Sequence, residues 1–408
     1  MEILFPRCAG LDVHKKMVVA CVRVVGSALF QEVQTFSTTS DGLLALSEWL
    51  TEHGVTHVAM EATGIYWKPV WHVLEGNFEL VLANAQAVRN VPGRKTDVND
   101  ATWIADLFAH GLICASFVPP QATQELRDLT RTRKQLVREV AQHTLRIQKT
   151  LEDGNVKLDC VLTDILGKSG RAILDAMVAG EVDPERLADR ALGIARKKHA
   201  ALVVALRGRV TPHHRTMVAM HLKLIDALRA AIREVDATVG KALEPIRSLE
   251  KLLMTMPGVS SVVAQVLLAE IGSDMARFPT AGHLVSWAGL CPRSDESAGK
   301  RRSTRTRKGD PWLKTMLVTA AWAAARTKNS YLRAQFLRIK GRRGAKKAIL
   351  AVAASMLTAT FHMLRDGVEY KDLGADHFDR TDTTKTIARL TRRLRDLGCE
   401  VEVTPKAA

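Results

Sequence analysis

Cysteine is scarce and scattered in this chain. The six cysteines, Cys8, Cys21, Cys114, Cys160, Cys291 and Cys399, never fall into a CxxC spacing. That removes the usual sequence grounds for a disulfide framework or a cysteine-ligated zinc site, and a reducing cytoplasm is expected. Tyrosine is rarer still. Only Tyr66, Tyr331 and Tyr370 occur, and none is expected in an arginine-rich site, so chemistry through a tyrosine nucleophile is disfavoured. The opening residues, MEILFPRC, lack the basic-then-apolar layout of a secretory signal. Long apolar runs are missing as well. The most apolar late stretch, Ala348 to Leu364, is rich in Ala, Ser and Thr and falls short of a membrane span, so it reads as a packed core helix and no membrane partner is expected.

Acidic residues are in deficit. With 59 Lys and Arg against 43 Asp and Glu, the net charge is +16, which favours a polyanionic partner, nucleic acid first. At 408 residues two or three folding units are expected, and 47% apolar residues allow a substantial core.

The first hundred residues alternate between strand and helix patterns. Strand-like runs cover about 9–24, 29–36, 57–60 and 78–83, with helical patterns over 42–52 and 66–74 between them. This argues for an α/β domain with a mixed sheet. After Val118-Pro119-Pro120 the character changes. Gln121 to Leu151 carries apolar residues at steps of three, four and seven, the pattern of a coiled-coil seam. Thr211 to Ile246 is a second long helical stretch. Met256-Pro257-Gly258-Val259-Ser260 reads either as a helix-hairpin-helix that offers backbone N–H groups to a phosphate, or as a plain corner of the core. Two Ala-rich helices and a charged tail complete the chain, and the part of the tail from Lys385 to Leu397 patterns as a basic amphipathic helix.

Four acids stand out in the first region. Asp12 lies in the first strand beside Gly10, and Glu61 closes a strand just before a turn signal, the end of a strand where open α/β sheets place ligands. Asp97 and Asp100 share a face at the start of a helix, where the dipole also favours them for structural reasons alone. If the four converge, each close pair at ~4 Å repels by roughly 4 kcal/mol at an effective dielectric of ~20. Such a set binds hard cations, with Mg²⁺ (or Mn²⁺) the default beside phosphates. Arg94 and Lys95, just before the acids, are candidate contacts to a nucleic-acid backbone.

The second focus is the stretch from Gly289 to Leu313. Ser297-Ala298-Gly299 sets a serine among small residues, followed by Lys300, Arg301, Arg302, Arg305, Arg307 and Lys308. Asp310 and Pro311 then open a helix as N-cap and first helical residue. Small residues let the backbone come close, guanidinium groups hold negative charge, and a helix N-terminus adds a favourable dipole, so the stretch suits a phosphate.

The motifs GLDVHK, MEATG, KTDVNDA, PGVS and LCPRSDESAGKRRSTRTRKGDPWLK occur in that order. Together they resemble the transposases of the insertion-sequence 110 family, the group that includes Piv-type DNA invertases, over residues 8 to 366. The resemblance implies α/β plus all-α architecture in four parts. Residues 1–118 would form a RuvC-like (ribonuclease H-like) mixed-sheet domain, 119–249 a long helical coiled-coil insertion, 250–370 a mostly α-helical C-terminal transposase domain, and 371–408 a charged tail. It implies a DEDD metal set of Asp12, Glu61, Asp97 and Asp100, and a nucleophilic serine at Ser297. It also implies target and donor DNA as substrates, a structured non-coding bridge RNA as guide, and a homodimer or tetramer.

A serine hydroxyl needs activation by a base, a metal or a positive field. The basic residues supply field, but no histidine lies in the loop, and His283 is the nearest before it. Help from the acids, in a composite site, is therefore expected. The expected reaction is attack of Ser297 on a DNA phosphodiester, with strand exchange through a covalent phosphoserine. The rival reading is a Mg²⁺-dependent RuvC-like nuclease or Holliday-junction resolvase, in which the acids activate water and Ser297 only holds phosphate. A nucleic-acid-binding protein without catalysis is the third.

Overall fold

The computed structural model describes residues 2–61, 64–83, 88, 100–113, 115–292, 295–303, 305–306, 308–381 and 383–404. The chain divides into two compact units, Met1–Pro119 and Pro120–Ala408.

The first unit is built on a five-stranded sheet. Strands β1 (Arg7–Val13), β2 (Met17–Val25) and β3 (Leu29–Ser37) form an antiparallel meander, and β4 (His57–Glu61) and β5 (Glu79–Ala83) add in parallel on the other side of β1, giving the order β3-β2-β1-β4-β5. The pleat divides β1 cleanly. Ala9, Leu11 and Val13 join Val18, Ala20 and Val22 of β2 in a core under helices α1 (Ser40–Glu52) and α2 (Trp67–Leu74), which contribute Leu43, Leu46, Leu50, Val70 and Leu74. Thr39 caps α1 by accepting from the Gly42 N–H. The opposite face carries Cys8 and Ala59 and is covered by α3 (Asp100–Ala109) through Ile104, Leu107 and Phe108.

Helix α3 lies so close that β1 tolerates no side chain beneath it. A Cβ on Gly10 would fall 2.3 Å from the Ala101 carbonyl oxygen and 2.4 Å from the Ala105 amide nitrogen. Only glycine meets that approach.

The second unit is helical apart from one hairpin, among its described residues. Helix α4 (Gln121–Asp153, 33 residues) starts where Pro119-Pro120 bar an earlier start, and it pairs with α6 (Pro212–Ala242, 31 residues). The contacts Arg133–Asp236, His143–His221 and Asp153–His214 make the pair antiparallel. At about 1.5 Å per residue each helix is on the order of 50 Å long. Separate cores form at its two ends. At one, Ile147, Leu151, Val218, Leu222 and Ile225 pack on short helices that include α5 (Lys168–Val178). At the other, Leu126, Val239 and Leu243 enter the core of the C-terminal helices.

Those helices are α7 (Arg247–Met254), α8 (Ser261–Ile271), α9 (Ala281–Trp287), α10 (Pro311–Ala324), α11 (Tyr331–Arg343) and α12 (Ala345–Asp366). The corner between α7 and α8 is a packed one. Gly258 sits at φ +84°, and a Cβ there would come within 2.4 Å of the Ala320 carbonyl oxygen on α10. Its backbone serves close packing, which favours the core-corner reading of Met256 to Ser260 over a phosphate-binding hairpin. Helix α12 is the one described helix long and apolar enough to cross a membrane. Its Ala348, Val352, Ala353, Met356, Leu357 and Phe361 lie in the core. In the tail, α13 (Thr383–Asp396) is amphipathic, with Ile387, Leu390 and Leu394 exposed.

Candidate nucleic-acid cleavage site

The sheet brings three of the four acids toward one end of one face. In the parallel β1–β4 register Leu11 pairs with Met60, so Asp12 and Glu61 follow as the next neighbours on the Gly10–Ala59 face. Helix α3 runs antiparallel to β1. Its later residue Phe108 stacks on Phe5, whereas Ala101 and Ala105 lie over Gly10. Its first residue, Asp100, is therefore at the Asp12 end. Asp12 is largely buried, with 16% of its side chain exposed, and its Oδ2 lies 3.1 Å from His14 Nε2. Glu61 and Asp100 are half-buried. The donor set fits a divalent cation in type, being carboxylate oxygens beside a helix N-terminus. Among the described residues no group of three or more His, Cys, Asp or Glu comes together tightly enough to hold a metal ion. Asp97, Arg94 and Lys95 lie outside the described residues.

Ser297 belongs to a β-hairpin. Strand β6 (Asp295–Ser297) pairs antiparallel with β7 (Lys300–Ser303), and Ser297 faces Lys300 across the turn. The turn is Ala298-Gly299, at φ +49° and +72°. Two successive left-handed residues make the tight connection that matches strand twist. Glycine takes this conformation freely, and the non-glycine Ala298 is strained in it. Ser297 thus stands at the hairpin tip. Arg301 and Arg302 follow on β7; Lys300 is exposed beside the turn, and Arg305 and Lys308 are exposed toward the hairpin base. Arg307 lies outside the described residues. The sequence pattern suggested only a loop here, because the strands are too short and too charged to alternate.

The base of the hairpin is tied to α10. Pro292 and Thr306 form a β-bridge, and Lys314 Nζ donates to Gly289 O at 2.9 Å and to Thr306 Oγ1 at 2.8 Å. Burial pushes the Lys314 ammonium pKa down. Asp310 caps α10 as expected, its Oδ1 accepting from the N–H groups of Trp312 at 2.7 Å and Leu313 at 2.9 Å. His283 is occupied in its own helix cap, with Nδ1 2.8 Å from Thr280 Oγ1.

Behind the cap lies an ion network that sequence reading missed. Glu270, with no exposed surface, accepts from Arg131 Nε at 2.9 Å and Nη2 at 2.7 Å, and Arg131 Nη2 also reaches Asp310 Oδ2 at 3.3 Å. Arg127 Nε donates to Ala269 O at 2.8 Å, and its Nη2 to Glu270 O. Burial pushes the Glu270 carboxyl pKa up while Arg131 pulls it down, and the net direction is upward. Burial opposes the Arg131 charge, but the Glu270 hydrogen bonds and nearby carboxylates more than offset it. This network links α4, α8 and the helix that carries the hairpin. One signal was visible in advance: Glu270 is a lone charge inside the apolar run VVAQVLLAEIG.

Comparison with known proteins places both regions in one group. Residues 9–155, which hold all four acids, match the DEDD_Tnp_IS110 family model, described as a transposase. Residues 250–337, which hold the hairpin, match the model of the transposase IS116/IS110/IS902 family. An uncharacterized 43.6 kDa protein of insertion element IS110 from Streptomyces coelicolor is 29% identical over 306 residues, or 69% of this chain and 73% of that protein. An uncharacterized 42 kDa protein of insertion element IS900 from Mycobacterium paratuberculosis is 28% identical over 327 residues, or 71% and 80%.

Proposed function

The chain belongs to the IS110 family of transposases, and on that premise we propose that it cuts and rejoins DNA through a covalent phosphoserine at Ser297. It is a transposase, and DNA is its substrate. Ser297 Oγ attacks the phosphorus of a phosphodiester. The P–Oγ bond forms as the bond to the 3′ oxygen breaks, the hydroxyl proton passes to a base, and the leaving oxygen takes up a proton as a free 3′-hydroxyl. The same hydroxyl, or one from another strand, reverses the step, so strands exchange without net hydrolysis.

The observation that carries this reading is the hairpin. A tight Ala298-Gly299 turn puts Ser297 at a tip with little side-chain bulk next to it, and a basic strand lies directly opposite. Positive groups around the tip favour the negative charge that develops at phosphorus. Asp12, Glu61, Asp97 and Asp100 are the residues that would hold a divalent ion, Mg²⁺ or Mn²⁺. DEDD transposases generally use divalent metal ions, and such an ion supplies charge neutralisation at the phosphate and a lowered hydroxyl pKa. A RuvC-like fold for the first unit is supported by its mixed sheet, its strand-end acids and the family match. Residues 1–118, 119–249, 250–370 and 371–408 are the working division of labour: acids, helical arm, serine hairpin and tail. Arg94, Lys95, Lys300, Arg301, Arg302, Arg305, Arg307 and Lys308 contact the nucleic-acid backbone. A structured bridge RNA pairs with both DNA partners, the active form is a dimer or tetramer, and the enzyme works in the cytoplasm.

The test is a recombination assay on donor and target plasmids with Asp12→Asn, Asp100→Asn and Ser297→Ala. All three abolish recombinant junctions while keeping the wild-type melting temperature within a few degrees. Continued strand cutting by Ser297→Ala would replace the phosphoserine reading with metal-activated water.

A further inference from the structure

Three cations of α4 converge on one indole. Arg131, Lys134 and Arg138 place their charged ends 5.6, 5.1 and 5.5 Å from the Trp312 ring centroid, at the first turn of α10. Their spacing of three and four residues puts them on one face of α4. An aromatic face attracts a cation, but it supplies no hydrogen-bond acceptor and no full negative charge.

The charge around this face does not balance. Arg127, Arg131, Lys134 and Arg138 stand against Glu270, Asp310 and Asp128, of which Asp128 acts on Arg131, Glu270 is committed to Arg131, and Asp310 to the α10 cap and Arg131. Lys134 Nζ is buried from solvent and has no hydrogen-bond partner among the described residues. Burial and then the neighbouring Arg138 charge push its pKa down. A buried ammonium with no protein acceptor is costly, so its position calls for a partner from outside the chain's own side chains. Arg138 is exposed and opens the face outward.

We propose that Lys134, Arg138 and Trp312 form a subsite for a nucleic-acid phosphodiester, with the indole as a stacking surface for the adjoining base or sugar. Lys134 donates to the phosphate, Arg138 closes over it from the solvent side, and Arg131 stays paired with Glu270. Trp312 lies in the same first turn of α10 that Asp310 caps and that carries Lys314, the tie to the hairpin base, so a strand held here runs beside that base. This rests on the chain being a transposase, not on the chemistry of Ser297.

The test measures binding of the full chain to labelled duplex DNA, single-stranded DNA and structured RNA without divalent metal, across a salt series. Lys134→Met and Arg138→Ala each weaken binding about ten-fold at moderate salt. Each lowers the slope of log K against log salt by about 0.9 for duplex or about 0.7 for a single strand, one phosphate contact. Lys134→Arg keeps the slope. Arg138 is exposed, so its variant folds even if Lys134→Met does not. A slope change with DNA or with RNA alone names the strand that occupies the subsite. An unchanged slope in both charge-removing variants overturns the proposal, even if affinity falls. Failure of the wild-type chain to bind any nucleic acid would instead remove the transposase reading itself.

Discussion

Asp12, Glu61 and Asp100 stand on a frame of sheet and helix that closes around an absent side chain, at Gly10. Ser297 stands at the tip of a two-stranded hairpin tied down at its base by Lys314, with an ion network of Arg127, Arg131, Glu270 and Asp310 behind the adjoining cap. The two regions use different physics for placement. The acids are positioned chiefly by apolar packing, which depends little on salt and pH, with one ion pair, Arg23–Asp106, between β2 and α3. The hairpin is positioned by charged groups, several of them buried, whose worth depends on every partner being present. A metal site needs fixed donors.

The largest effect should come from the ion network. Glu270→Ala leaves the Arg127 and Arg131 guanidinium groups without their buried carboxylate, and should cost about 3–5 kcal/mol in denaturant unfolding of the second unit. If the loss is under ~1 kcal/mol, charge does not hold this region and the contrast collapses. Next is Gly10→Ala. Its Cβ would meet α3 backbone at 2.3 Å, which cannot rotate away, so a loss of about 1–3 kcal/mol is expected, unchanged by salt. A salt-dependent loss would show that the acid frame is not held by packing alone. Asp310→Ala removes the α10 cap and should cost about 1–2 kcal/mol, with a drop in strand cleavage larger than the stability loss predicts. Equal cleavage at matched folded fraction would separate the cap from the hairpin.

The smallest effect is a pH control at the other end of the α4–α6 pair from the hairpin unit's core. Arg171 donates to Asp226 at 2.6 and 2.8 Å and holds its carboxyl below the ordinary range. A depressed carboxylate contributes stability above its unfolded pKa and loses it as pH falls through the folded value. Asp226 is half-exposed, with 51% of its side chain accessible, so Asp226→Asn should cost less than about 1 kcal/mol at pH 7. Wild type and variant should converge in acid. A gap that persists below the carboxylate range would mean that the pair acts through shape and not charge.

The sequence made the acid frame easier to read than the hairpin, for physical reasons. Strands β1, β4 and β5 are apolar runs bounded by turn residues, and Asp12 and Glu61 interrupt them visibly. The closeness of α3 was hinted at only by Gly10. The hairpin strands carry Asp, Glu, Lys and Arg in segments of three and four residues, too short for periodicity to register. Helix α11 escaped notice because YLRAQFLRIKGRR has charges around much of its circumference. The pairing of Arg131 with Glu270 spans 139 residues, and no local pattern reports such a contact. Nothing local sets Lys134 apart from the other charges of α4; only the fold puts Trp312 beside it.

The central claim is that Ser297 becomes covalently joined to DNA. The direct measurement is a denaturing gel of the chain with labelled donor and target DNA, the proposed guide RNA and Mg²⁺. The account predicts label that migrates with protein after SDS, vanishes on protease treatment, and is absent from Ser297→Ala. DNA cut with no protein-linked label, and cut equally by Ser297→Ala, would contradict it.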